Sequence, residues 1–310
     1  MSRLRTTAED YLAMRRALGF KLDLQGSLLV QFIDYLEDCG LDTVTTEAAI
    51  SWATAPRTAT PVWHGMRFGV ARRFAQHLHL LDPRCEVPPP DAVPERHRRL
   101  PPYIYSAADI EALIQEARRL RPTLRAATAE TVLGLLVVTG MRSGEVVRLN
   151  RGDVDLSAST LRVVATKGNK SRQLALHEST VAALVAYLGL RDETFPATRS
   201  PSFFVSSRGQ RFSESTLHAT FRLLVRAAGL DPPPGSRARR PRPHDVRHSF
   251  AVSTLIAWYR AGEDVGARLP SLSAYLGHVE PKHTYWYLSA VPELLSLANA
   301  QTMAHKGGRS

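Results

Sequence analysis

The chain has 310 residues, 44% of them hydrophobic, which supplies enough apolar material for two packed domains and excludes a largely disordered polymer. Forty Lys+Arg against 29 Asp+Glu leave a formal charge of +11, a field that favours a polyanionic partner by speeding encounter with phosphates and releasing counterions on contact. Cys39 and Cys85 fit neither a zinc spacing nor a disulfide framework, and the longest apolar run, 131–141, is too short to cross a bilayer. The basic opening MSRLRTTAEDYL lacks the apolar stretch of a secretion signal, so the expected location is the bacterial cytoplasm, at the nucleoid when bound to DNA.

Thr6 with Glu9 predicts a capping box for a first helix carrying Tyr11, Leu12, Met14 and Leu18 and stopped by Gly19. Leu28, Leu29, Phe32, Ile33 and Leu36 recur at helical spacing, a short helix is expected around 49–53, and Trp63, Met66, Val70, Phe74 and Leu78 mark a helix after Pro61. That last helix also carries His64, Arg67, Arg72, Arg73, His77 and His79, a set that suits either a solvated or a DNA-facing side. Seven prolines and a basic cluster, Arg96 to Arg99, make 83–102 an expected extended linker.

Ser106 predicts the cap of a helix through Ile110, Leu113, Ile114 and Leu120, and an apolar helix follows towards Val138. Arg142 then sits between a buried helix end and a short helix beginning at Glu145. Residues 161–165 and 172–176 read as a hairpin turning at Gly168-Asn169, with Lys167 and Lys170 flanking the tip. Helices are expected over 178–188, 213–228 and 244–259, with a basic proline-rich loop over 231–243. A short helical stretch, 271–276, leads to the segment holding Tyr285 and Tyr287, Pro292 opens a final helix, and the tail after Met303 reads as disordered.

The chemistry concentrates between Pro243 and Leu288. His244, Arg247 and His248 share one face at a helix start, where backbone N–H groups and the helix dipole favour an anion. Arg247 adds a planar fork that matches two phosphate oxygens. If Arg142 and Arg247 face one phosphodiester, they stabilise the charge that builds up during in-line displacement, without a metal. Tyr287 is then the nucleophile; a free phenol near pKa ~10 needs nearby positive charge or a base, which His244 and His278 supply. Lys167 is the expected general acid for the departing sugar oxygen.

Five separated motifs now carry a resemblance. They are TGMRSGEVVRL, TKGNKSRQLAL, PHDVRHSFA, YLGH and a tyrosine nine residues after His278. In this order, over about 106–300, the second domain resembles the tyrosine recombinases, also called phage-type integrases. The resemblance implies that Arg142, Lys167, His244, Arg247 and His278 assemble around the scissile phosphate. It implies also that Tyr287 forms a 3′-phosphotyrosyl link and releases a 5′-hydroxyl, so that no ATP is required. Tyr285 would face another side of its helix, and Glu145 is expected to be structural. The first domain is similar to the family's DNA-clamping core-binding domain. Family members act as four protomers on two duplexes, and 292–303 is the candidate for the C-terminal helix that docks on a neighbour. The wording SLSAYLGH and TYWYLSA resembles transposon-associated branches.

The expected fold is therefore mostly α with a small antiparallel sheet (α+β). Its parts are a helical core-binding domain (1–82), the linker (83–102), a catalytic domain (103–303) and a disordered tail (304–310). Expected partners are double-stranded DNA recombination sites and three further protomers, identical or related; no cofactor or metal is expected. The competing readings are a DNA-binding regulator without cleavage, a type IB topoisomerase-like relaxing enzyme, and a metal site built from His244, His248, His278 and His283. The last lacks the glutamate of the zinc-protease pattern and leaves both arginines unexplained.

Overall fold

The computed structural model describes residues 2–94, 101–164, 171–197, 200–236, 238–277 and Leu294. Contacts divide the chain into two compact units, Met1–Arg99 and Leu100–Ser310.

The first unit holds helices α1 (Arg3–Ala17), α2 (Asp23–Asp38), α3 (Thr46–Thr54) and α4 (Pro61–His79). Ser2, Thr45 and Thr60 cap α1, α3 and α4 by accepting backbone N–H groups, and Pro61 occupies the first turn of α4, where no donor is required. The expected cap at Thr6 is thus corrected: Ser2 takes that role, and Thr6 instead donates back to the Ser2 carbonyl. The stripe of α1 shifts with it. Leu4, Ala8 and Leu12 are buried, whereas Met14 and Leu18 are exposed. Phe32 and Leu36 from α2, Trp52 from α3 and Phe68 and Phe74 from α4 complete this core.

Arg67 corrects another expectation. It is buried, with its guanidinium 3.8 Å from the centre of the Trp52 ring and donating to the Trp52 carbonyl at 2.8 Å, so it belongs to the core rather than to a basic surface. The connector expected over 83–102 is narrower as well. Cys85 and Val93 are buried in the helical core, the Glu86 amide donates to the Val44 carbonyl, and Arg72 donates to the Pro88 carbonyl.

The second unit runs α5 (Ala107–Arg118), α6 (Thr123–Thr139), α7 (Ser143–Arg148), a 3-10 turn (Arg151–Asp153), β1 (Val154–Asp155), β2 (Thr160–Val163) and β3 (Arg172–Ala175). It continues with α8 (Glu178–Thr194), α9 (Glu214–Ala227), α10 (Pro243–Arg260) and α11 (Val265–Leu276). The sheet is antiparallel in the order β1-β2-β3, with Val163 opposite Arg172 and Leu161 opposite Leu174. The mostly helical fold with a small antiparallel sheet is as expected; β1 was not foreseen. Two helices are longer than their sequence signals. α8 reaches Thr194, and α11 starts at Val265 because Asp264 caps it by accepting the Ala267 amide, which overrides the breaking tendency of Pro270 inside the helix.

α6 organises this unit. Leu124, Ala129, Val132, Leu133, Leu135 and Leu136 are buried around its circumference, and it packs against α5, α8 and α10. Ala251, Val252 and Leu255 of α10 pack with Leu269, Leu272 and Leu276 of α11, and Leu294 is buried among them. The expected hairpin tip, the segment with Tyr285 and Tyr287 and all of the expected final helix but Leu294 lie outside the described residues. Among the described residues no helix is long and apolar enough to cross a membrane.

α6 ends at Gly140, which takes a left-handed φ of 60°; a Cβ there would sit 2.5 Å from the Phe250 ring. Gly140→Ala is therefore expected to destabilise the protein by about 2–4 kcal/mol, the sum of backbone strain and overpacking. Denaturant unfolding checks this, and an unchanged midpoint contradicts it.

Candidate active site

Arg142 leaves the end of α6 and becomes the N-cap of α7. Its own amide donates to Glu145 Oε2 at 2.9 Å, while its carbonyl accepts the amides of Glu145 and Val146, so cap and helix start lock each other. The side chain folds back over the same carboxylate. Arg142 Nη1 donates to Glu145 Oε1 at 2.9 Å, and Nη2 donates to the Gly277 carbonyl at 3.0 Å. At 36% side-chain exposure the guanidinium is still reachable from outside.

Arg247 arrives from α10. The helix starts with Pro243 in its first turn and Asp245 accepting the Arg242 amide at 2.9 Å. Asp245 is buried, and burial pushes its carboxyl above the usual range against the pull of Arg242. Ser249 ties the helix to the entrance of α5, donating to the Asp245 carbonyl and accepting the Tyr105 amide at 2.8 Å. Arg247 lies on the same stripe as Ala251 and Leu255, four and eight residues on, and so points inward at 2% exposure. Its Nη1 donates to the Gly140 carbonyl at 2.9 Å and its Nη2 to the Leu276 carbonyl.

The two arginines thus converge. They bind the carbonyls of consecutive residues, Leu276 and Gly277, at the C-terminus of α11, and Arg247 also reaches the C-terminal carbonyl of α6. Carbonyls at helix ends lack intrahelical partners and carry the negative end of the dipole, so both sites favour cations. Gly277 is the left-handed cap of α11 at φ 67°, and the next residue is His278.

The expectation that His244, Arg247 and His248 share one face is refined. His244 and His248 are partly buried and meet edge to face at 4.7 Å, while Arg247 turns to the core side. Arg142, Arg247 and Glu145 come together. Lys167, His278, Tyr287 and the alternative Tyr285 lie outside the described residues, as does His283 of the metal reading. Among the described residues no group of three His, Cys, Asp or Glu side chains could hold a metal ion.

One further group was missed by sequence reasoning. Arg172, at the start of β3, donates to Glu145 Oε1 at 3.1 Å and Oε2 at 2.8 Å. The signal was the two-residue alternation: Arg172 shares the inward face with Leu174, opposite buried Val163. Glu145 therefore carries a fully buried carboxylate between two guanidinium groups. Burial alone would push its pKa up; the paired bonds from Arg172, the Arg142 amide and both positive charges override it and hold the pKa at about 2.

Because this pKa is depressed from 4.5, the stability it contributes is present above about pH 4.5 and is lost as pH falls towards 2. Glu145→Gln, which leaves two cations facing a neutral amide, is expected to cost about 3 kcal/mol at pH 7, with the gap to wild type more than halved near pH 3. Denaturant unfolding at both pH values measures it; an equal gap at both contradicts the charge account.

The Phage integrase family profile matches residues 105–293. The y4rB protein of Sinorhizobium fredii, named as an integrase/recombinase, is 41% identical, covering 96% of each chain. The crystal structure of XerA recombinase matches with a TM-score of 0.52 at 25% identity, over 96% of this chain and 97% of that one. The Tn1549 transposon integrase, in complex with transposon right end DNA, shares the fold at a TM-score of 0.66 and 15% identity, over 96% and 98%. A profile spanning more than half of the sequence, and a relative of this identity along nearly the whole length, lead to one conclusion: the chain belongs to the phage integrase family.

Proposed function

We propose that this chain is a site-specific DNA recombinase that cuts and rejoins strands through a tyrosyl–DNA intermediate. The observation that carries the reading is the convergence of Arg142 and Arg247 on two consecutive carbonyls, one residue before His278, in a member of this family. A guanidinium has five N–H donors, of which Arg142 uses two in these side-chain bonds, so its fork retains donors for a phosphate. The net charge of +11 suits a DNA partner.

In this reading the Arg142 and Arg247 forks hold the non-bridging oxygens of the scissile phosphate. The Tyr287 phenol attacks phosphorus, forming the bond to the 3′-phosphate while the bond to the 5′-oxygen breaks. His244 and His278 hydrogen-bond the phosphate or take the phenolic proton, and Lys167 protonates the departing 5′-oxygen. The reverse steps with a new 5′-hydroxyl rejoin the strand, so the phosphoester is exchanged rather than hydrolysed, and neither metal nor nucleotide has a step to drive. Exchange between two duplexes calls for four protomers, each supplying one cleavage, and 292–303 is the candidate link between neighbours. The names of the relatives, integrases and recombinases, favour this over a binding-only regulator or a relaxing enzyme. A transposon integrase among the fold relatives suits a role in a mobile element.

The test is covalent capture. In cells expressing the chain, rapid denaturation is expected to recover protein–DNA adducts whose sequence defines the site. The adduct should be lost in Tyr287→Phe and kept in Tyr285→Phe and in the presence of a chelator. An adduct that persists in Tyr287→Phe removes the nucleophile assignment. On the recovered site, Arg142→Ala and Arg247→Ala are each expected to slow cleavage by about 100-fold or more while weakening DNA binding far less. Equal losses of both would make them anchoring contacts only.

A further inference from the structure

Arg172 has no part in the reaction as laid out above, yet it shares a carboxylate with Arg142, which does. Its side chain is 16% exposed, and its fork is committed to both oxygens of Glu145. The guanidinium also lies against the backbone of Gly277, where an added Cβ would meet Arg172 Nη1 at 2.9 Å. Gly277 in turn accepts from Arg142, and Arg142 shares Glu145 with Arg172, which closes a ring of four residues. Arg172 is also where the chain re-enters the sheet opposite Val163, after the segment that holds Lys167. One guanidinium thus joins the carboxylate that orients Arg142 to the Gly277 cap of α11, which itself accepts from Arg142.

We propose that Arg172 is a positioning residue for strand cleavage, one that aligns Arg142 through their shared Glu145 carboxylate. This rests on the recombinase reading above. A direct phosphate contact suits Arg172 less well than Arg142, because both Nη atoms of Arg172 are held by one buried carboxylate and its side chain is 16% exposed against 36%. Arginine suits this place better than lysine because only a planar fork meets both oxygens of one carboxylate. Positioning matters at this scale, since displacing a catalytic group by about 1 Å can cost about 100-fold in rate.

The experiment is single-turnover cleavage of a nicked duplex carrying the site recovered by covalent capture, with DNA binding and melting measured on the same preparations. Arg172→Ala is expected to cleave about 30-fold to 100-fold more slowly while binding intact duplex within about 3-fold of wild type, and Arg172→Lys to recover part of the rate. The deciding readout is the double-mutant cycle. If Arg172 acts through Arg142, then in an Arg142→Lys background Arg172→Ala costs less than about 3-fold more. Wild-type cleavage by Arg172→Ala, an equal loss in both backgrounds, or a loss that follows DNA binding overturns the assignment. Should Arg172→Ala melt below the assay temperature, Arg172→Lys carries the same cycle, with a loss of about 10-fold expected alone and the same outcomes deciding. A wild-type chain that forms no adduct defeats the recombinase reading instead, so the two failures are told apart.

Discussion

The second unit depends on where two helices stop. α6 ends at Gly140 and α11 at Gly277, both left-handed, and the carbonyls left over at these ends are taken up by arginines from distant parts of the sequence. Arg247 is carried inward by the apolar stripe of α10, where a lone charge would be expensive; two helix C-termini supply the acceptors that make it tolerable. The same contacts hold its fork in one orientation before any ligand arrives. Electrostatic stabilisation of a transition state gains most from charges that need not reorganise when the reaction occurs, and buried, carbonyl-bound guanidinium groups meet that condition.

Glu145 performs the complementary task for Arg142. Its carboxylate is fully buried, kept ionised by two arginines and one backbone amide, and it fixes the more exposed of the two converging forks. Both oxygens of this buried carboxylate are satisfied, as a buried ionic network must be if it is to order a structure rather than weaken it; the Arg172 Nε, buried without a hydrogen-bond partner among the described residues, is the cost that remains. The arrangement also separates roles by exposure. The Arg142 side chain is 36% exposed, whereas Arg172 at 16% and Glu145 at 0% are enclosed.

Much of this was legible in the sequence, and the reasons differ by element. Helices with side-chain caps and unbroken stripes, such as α4 and α9, fall where periodicity placed them, and α2 does so on its stripe alone. α1 and α11 start earlier because a single capping residue, Ser2 or Asp264, outweighs a later signal. Arg142 and Arg247 stood out through motif spacing, but their shared acceptors did not, since backbone carbonyls leave no trace in residue identity. Arg67 read as a surface charge because arginine is usually solvated, and Arg172 read only as the start of a return strand; the packing of Trp52 and the strand alternation at Leu174 reveal where they go.

The central claim is that Arg142 and Arg247, brought together by the end of α11, act on one and the same phosphate. The most direct measurement is a structure of the full chain, as Tyr287→Phe, bound to a duplex containing its site. The account predicts both guanidinium groups within hydrogen-bond distance, about 2.7–2.9 Å, of the non-bridging oxygens of a single phosphate. Guanidinium groups bound to two different phosphates, or one of them turned away from the DNA, would contradict it.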